Sequence, residues 1–83
     1  MEKQPKIQPR PAYHHIVIYK NPSDFPGDFV VKVWDVMTKE PTQLLELTKL
    51  ERTLDAARSH IPAGFVNVGR FVEDDPAIYE VWI

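Results

Sequence analysis

Only one stretch of this chain repeats its apolar residues at helical spacing. Leu50, Leu54, Ala57 and Ile61 recur at i, i+4, i+7 and i+11, a single stripe that predicts one helix of about three turns. Thr48 followed three residues later by Glu51 has the spacing of a capping box, in which each side chain satisfies the other residue's backbone N–H. Pro62 and Gly64 end the segment. Glu51, Arg52, Asp55 and Arg58 fall mostly off the stripe and are expected to face water.

Every other apolar run has strand character. "AYHHIVIYK" concentrates β-branched and aromatic residues. "NPSDFPGD" then breaks the chain with two prolines, a glycine and turn-forming polar residues. In "FVVKVWDV", Phe29, Val31 and Val33 share one face, and Val30, Lys32, Trp34 and Val36 the other. "MTKEP" reads as a turn and "TQLLEL" as a short strand or extended lead-in. "FVNVGRF" and "AIYEVWI" read as two strands around the acidic corner "VEDDP". The predicted order is β-β-(β)-α-β-β. With short connections it implies a small α+β two-layer sandwich: a mainly antiparallel sheet of four or five strands with one helix on one face.

One helix can cover only one face, and that raises the question of what the other face does. Tyr13, Tyr19, Phe29, Trp34, Phe65, Phe71, Tyr79 and Trp82 all fall in predicted strands, more aromatics than one short helix can cover. The uncovered face would carry Val30, Trp34 and Val36 from the central strand, and either Ile78 and Trp82 or Tyr79 and Val81 from the last. Exposed apolar patches mark interfaces, and Trp and Tyr are typical anchors. Trp34 and Trp82, with Tyr19 and Tyr79 behind them, are the candidate interface residues.

Length supports an associating protein. A chain of 83 residues makes one domain, buries roughly 60% of its unfolded surface and gains from covering more of it on a partner. Residues 1–11 form a flexible tail with Pro5, Pro9 and Pro11, and with Lys3, Lys6 and Arg10 against Glu2. Residues 12–83 carry seven bases against eleven acids, so the folded part repels phosphate and duplex nucleic acid is a poor partner. No cysteine is present, which removes disulfides and thiolate chemistry and fits a reducing compartment. The first dozen residues lack the apolar core of a secretory leader, and no apolar run approaches the ~20 residues of a membrane span. The expected setting is the cytoplasm.

Chemistry finds little to work with. In "VEDDP" the acids Glu73, Asp74 and Asp75 are contiguous, with no internal glycine and no spaced bidentate Glu, so a hairpin turn is expected rather than a calcium loop. His14 and His15 are adjacent and project to opposite faces of a strand, which disfavours a shared metal. His60 ends the predicted helix, where the macrodipole favours its protonated form without any ligand. Ser59 and His60 are helix neighbours and do not face one another as nucleophile and base. Gly27, Gly64 and Gly69 are too dispersed for a phosphate loop. The chain is therefore expected to be non-catalytic, without metal or cofactor, and to act by binding a protein partner or a second copy of itself. The competing expectation is a binder of single-stranded nucleic acid or of a small ligand, using the aromatic face and the basic tail.

Overall fold

The computed structural model describes residues 14–37, 39–70 and 74–83. The Pro-rich tail, Tyr13, Phe71 and Glu73 lie outside the described residues. The chain runs through β1 (His14–Lys20), β2 (Phe29–Asp35), β3 (Thr42–Gln43), a 3-10 turn (Leu45–Leu47), β4 (Lys49–Glu51), α1 (Leu54–Arg58), β5 (Asn67–Gly69) and β6 (Ile78–Trp82). It is an α+β sandwich with six strands in one antiparallel sheet. The sheet order is β3-β2-β1-β6-β5, and β4 pairs with β2 on the same side as β3. "TQLLEL" thus splits into a two-residue strand and a 3-10 turn, and the sixth strand comes from within the predicted helix.

That helix is the main departure from expectation. It is five residues long, and its N-cap is Thr53, whose hydroxyl accepts the Ala56 N–H at 3.1 Å. The Thr48–Glu51 capping box does not form. Thr48 closes the 3-10 turn, its N–H bonding the Leu45 carbonyl at 3.1 Å, while Leu50 and Glu51 lie opposite Val30 and Phe29 in the β4–β2 ladder. Edge pairing against β2 satisfies these backbone groups at once, which outweighs a weak helical preference. The rest of the stripe behaves as its spacing implies: Ala57 is fully buried, and Leu54 and Ile61 pack on the core.

The core lies between α1 and one sheet face, hereafter the helix face. Ile16 and Ile18 of β1, Val31 and Val33 of β2, Ala57 and Phe65 form it, with Phe29 and Trp82 packed around them. Arg58 does not face water freely. It lies over β6, where Nε donates to Glu80 Oε1 at 3.1 Å and Nη2 donates to Oε2. Glu80 is buried and also accepts the Trp82 indole N–H at 3.0 Å. The arginine holds its carboxyl below the usual carboxylate range, against an opposing effect of burial. None of the described helices is long and apolar enough to cross a membrane.

Candidate interaction face

The strand register defines the face that α1 leaves uncovered. On β1 it carries His15, Val17 and Tyr19, which stand opposite Trp34, Lys32 and Val30 of β2. Towards β6, Val17 meets Val81 and Tyr19 meets Ile78. Leu50 of β4 extends the row beyond Val30. On the other flank, Val66 and Ile83 exchange both backbone hydrogen bonds, at 2.7 and 2.9 Å. Alternation along the chain puts Val66 on this second face with Ile83, because Phe65 enters the core and Asn67 stands opposite Trp82; Val68 is the extra residue of the β5 bulge and adjoins them at that edge.

Exposure is unevenly spread across this face. Val17 and Val30, near its centre, are buried. Its margins are not: Leu50 is 48% exposed, Val66 60%, Val68 41% and Ile83 39%. Among the described residues, three of the eight large hydrophobics with substantial exposure, Leu50, Val66 and Ile83, therefore project from one sheet face, and Val68 stands beside them at the β5 bulge. The others, Phe25, Met37, Leu45 and Tyr79, are scattered over loops and the opposite side.

The four interface candidates do not share a patch. Trp34 and Tyr19 stand half-buried on the second face. Trp82 packs against the core on the helix face. Tyr79 turns to that side as well, its ring edge-on to Phe29 at 6.2 Å and capped by the Lys20 ammonium at 5.4 Å. Neither expected pairing on β6 holds, because the register slips between Ile18 and Tyr19: Ile18 meets Glu80, but Tyr19 meets Ile78. The bulge lets Ile78 and Val81 share a face despite their odd spacing. Val30, expected in the exposed set, is fully covered, and Val36 falls beyond the end of β2.

Sequence reasoning missed Leu50, Val66, Val68 and Ile83. The signal for Val66 was present, since placing Phe65 in the core obliges it to point the other way, whereas Val68 falls at a bulge that alternation does not foresee. Leu50 was hidden by its place in the helical stripe.

Local interactions hold the face in shape. The Lys32 ammonium lies 4.7 Å from the centre of the Tyr19 ring, a cation–π contact that covers the middle of the sheet. Burial pushes the Tyr19 hydroxyl up from its ordinary value; a hydrogen bond with Trp34 opposes this, while the carboxylates of Asp75 and Asp74 add to it.

The sheet edges are poor templates for another strand. β3 and β4 are two and three residues long, with a 3-10 turn between them. β5 is three residues long and ends in a bulge at Gly69, whose φ is +74° and whose N–H is taken by Asn67 Oδ1 at 2.8 Å. Short, bulged edges resist strand addition.

Other features are accounted for locally. His60 Nε2 lies 2.6 Å from Glu51 Oε2, tying the end of α1 to β4; with a helix of only five residues, this contact replaces the expected macrodipole role. Ser59 Oγ donates to the Ala56 carbonyl at 2.5 Å. Asp75 Oδ1 accepts the Ala77 N–H at 2.8 Å, the bond of a turn. Among the described residues, no three of His, Asp and Glu gather as a metal site would require. An open groove of about 640 Å³ runs past Tyr19, Asn21, Asp24, Lys32 and Asp75. Its Asn21 and Asp75 side chains are already committed to the Gly27 and Ala77 N–H groups.

No family model matches the chain, and comparison with curated proteins and with solved structures gave no significant match.

Proposed function

We propose that this chain acts without catalysis, in the cytoplasm, by binding another protein chain through the second sheet face, a homodimer being one such assembly. The observation that carries the reading is the shared orientation of Leu50, Val66 and Ile83, with exposed Val68 beside them at the β5 bulge, around a centre of Trp34, Tyr19, Ile78 and Val81. Apolar side chains gathered on one face gain free energy only when something excludes water from them. The blunted edges favour the face over strand addition as the binding surface.

The test compares the wild type with Val66→Lys/Val68→Lys, a change confined to exposed positions. Light scattering across a wide concentration range reports self-association. Parallel pull-downs report foreign partners, counting only those that the wild type retains and the variant loses. If neither molar mass nor retained partners depend on Val66 and Val68, the face is not the binding surface.

A second reading is favoured by one observation, that Trp34, Tyr19 and Lys32 share the face. Rings beside a cation are how single-stranded nucleic acid is stacked and tracked. Here the exposed residues are aliphatic, and Lys32 is held over the Tyr19 ring. Salt-sensitive quenching of tryptophan by single-stranded oligonucleotides would support this reading, and a flat titration would remove it.

A further inference from the structure

The sheet segregates its charges. All three acids of its strands, Asp35, Glu51 and Glu80, lie on the helix face, in register with His14, Phe29 and Ile18. The basic groups that the strands place on the second face are Lys32 and His15, beside Val17 and Trp34 on the two central strands. Lys32 has no carboxylate within ion-pair distance among the described residues, only the Tyr19 ring. Asp24 and Asp75 line the groove at the Tyr19 end of the face together with Lys32, outside ion-pair distance of it, and Asp75 is engaged by the Ala77 N–H. A domain with four more acids than bases over residues 12–83 thus shows an apolar surface whose central charge, that of Lys32, is positive.

Resting on the face reading above, we propose that the occupant of this face is a segment of a different protein that sets apolar side chains around a carboxylate, received by Lys32 with His15 beside it. Charge complementarity selects this occupant. A second copy packed face to face about an axis through the centre of the face would bring Lys32 against Lys32, burying like charges without partners. A polynucleotide needs several cations along its backbone and open rings to stack on, and the face supplies neither in number. An acidic, apolar segment satisfies both properties of the surface at once: aliphatic margins for its apolar residues, and a central ammonium for its carboxylate.

The test uses the full chain as bait and a display library of random 15-residue peptides as probe. Baits are the wild type, Lys32→Met, Lys32→Arg and Val66→Lys/Val68→Lys, each checked for unchanged far-UV dichroism. The expected result is enrichment of peptides with Asp or Glu flanked by apolar residues. The best peptide should bind Lys32→Met about tenfold or more weakly, as loss of one partner of a desolvated charge pair does. Lys32→Arg should restore most of the affinity, and the double valine variant should lose it. Enrichment without acids, or indifference to Lys32→Met while the valine variant loses binding, overturns the carboxylate and leaves the face reading standing. Binding insensitive to the valine variant overturns both. No enrichment, salt-sensitive oligonucleotide binding lost in Lys32→Met, or a dimer that Val66→Lys/Val68→Lys dissociates also overturns the proposed occupant.

Discussion

Replacing Glu80 by Gln tests whether the Arg58 pair holds the short helix on the sheet. The Glu80 carboxylate is buried and accepts from two nitrogens of Arg58 and from the Trp82 indole. Glutamine keeps the volume and one acceptor oxygen but removes the charge. Hydrogen bonds to charged groups contribute roughly 1.5–3 kcal/mol, and the partial exposure of Arg58 lets its guanidinium recover some solvation. The expected loss is therefore about 2 kcal/mol, or roughly 8–16 °C in Tm for a domain of this size. Total stability for such a chain is only on the order of 4–12 kcal/mol.

The pH dependence separates this mechanism from a mere packing defect. Arg58 holds the folded-state pKa of Glu80 below its ordinary value. The unfolded chain therefore binds the proton more readily, and the pair's contribution is complete above the ordinary carboxylate pKa. It shrinks as pH falls through that value and vanishes once pH lies below the folded-state value. Urea denaturation of wild type and Glu80→Gln at pH 7 and at pH 3 should show a gap that is wide at pH 7 and narrower at pH 3. A gap of the same width at both values would show that the charge contributes nothing and refute the reasoning.

Arg58→Met should destabilise at pH 7 but flatten the loss of stability towards acid, because without its cation the folded-state pKa of Glu80 rises towards or above that of the unfolded chain; a pH series of melting temperatures shows it. Thr53→Ala removes the hydroxyl that accepts the Ala56 N–H and should cost about 1 kcal/mol, read by urea midpoint. Gly69→Ala should cost about 1–2 kcal/mol from backbone strain alone, since φ is +74° there and an added methyl group meets nothing within 4 Å. Gly69→Asn should recover part of that loss.

The architecture was legible where the pattern was long. The seven-residue run of β2 alternates as expected, with Val31 and Val33 in the core, because a central strand leaves no freedom of register once one face is buried. Short segments were not legible. Lys49–Glu51 carries the first turn of a credible helical stripe, yet three residues gain more from pairing with β2 than from starting a helix whose stripe needs only Leu54, Ala57 and Ile61. The bulge between Ile18 and Tyr19 is a backbone event with no residue signature, and it alone decides where Tyr79 and Ile78 point. For the same reason the aromatic candidates divided between two faces. The exposed set turned out to be aliphatic because the rings, being larger, were drawn inward or onto cations.

That division bears on how tightly the second face could hold a partner. Leu50, Val66, Val68 and Ile83 together leave on the order of 300 Å² of apolar surface in water, given their exposures; covering it supplies about 7 kcal/mol at 25 cal/mol per Å². Association itself costs at least about 4 kcal/mol, so the margins alone support no better than roughly millimolar binding. A useful affinity requires the half-buried centre as well: Trp34, Ile78, Val81 and the Lys32 ammonium. Trp34→Ala should therefore weaken binding of a face-directed peptide at least as much as Val68→Lys, with the far-UV spectrum intact. If Trp34→Ala leaves affinity unchanged, the contact is confined to the corner formed by β5 and Ile83. If the fold is lost instead, Trp34 is core and the centre of the face is structural.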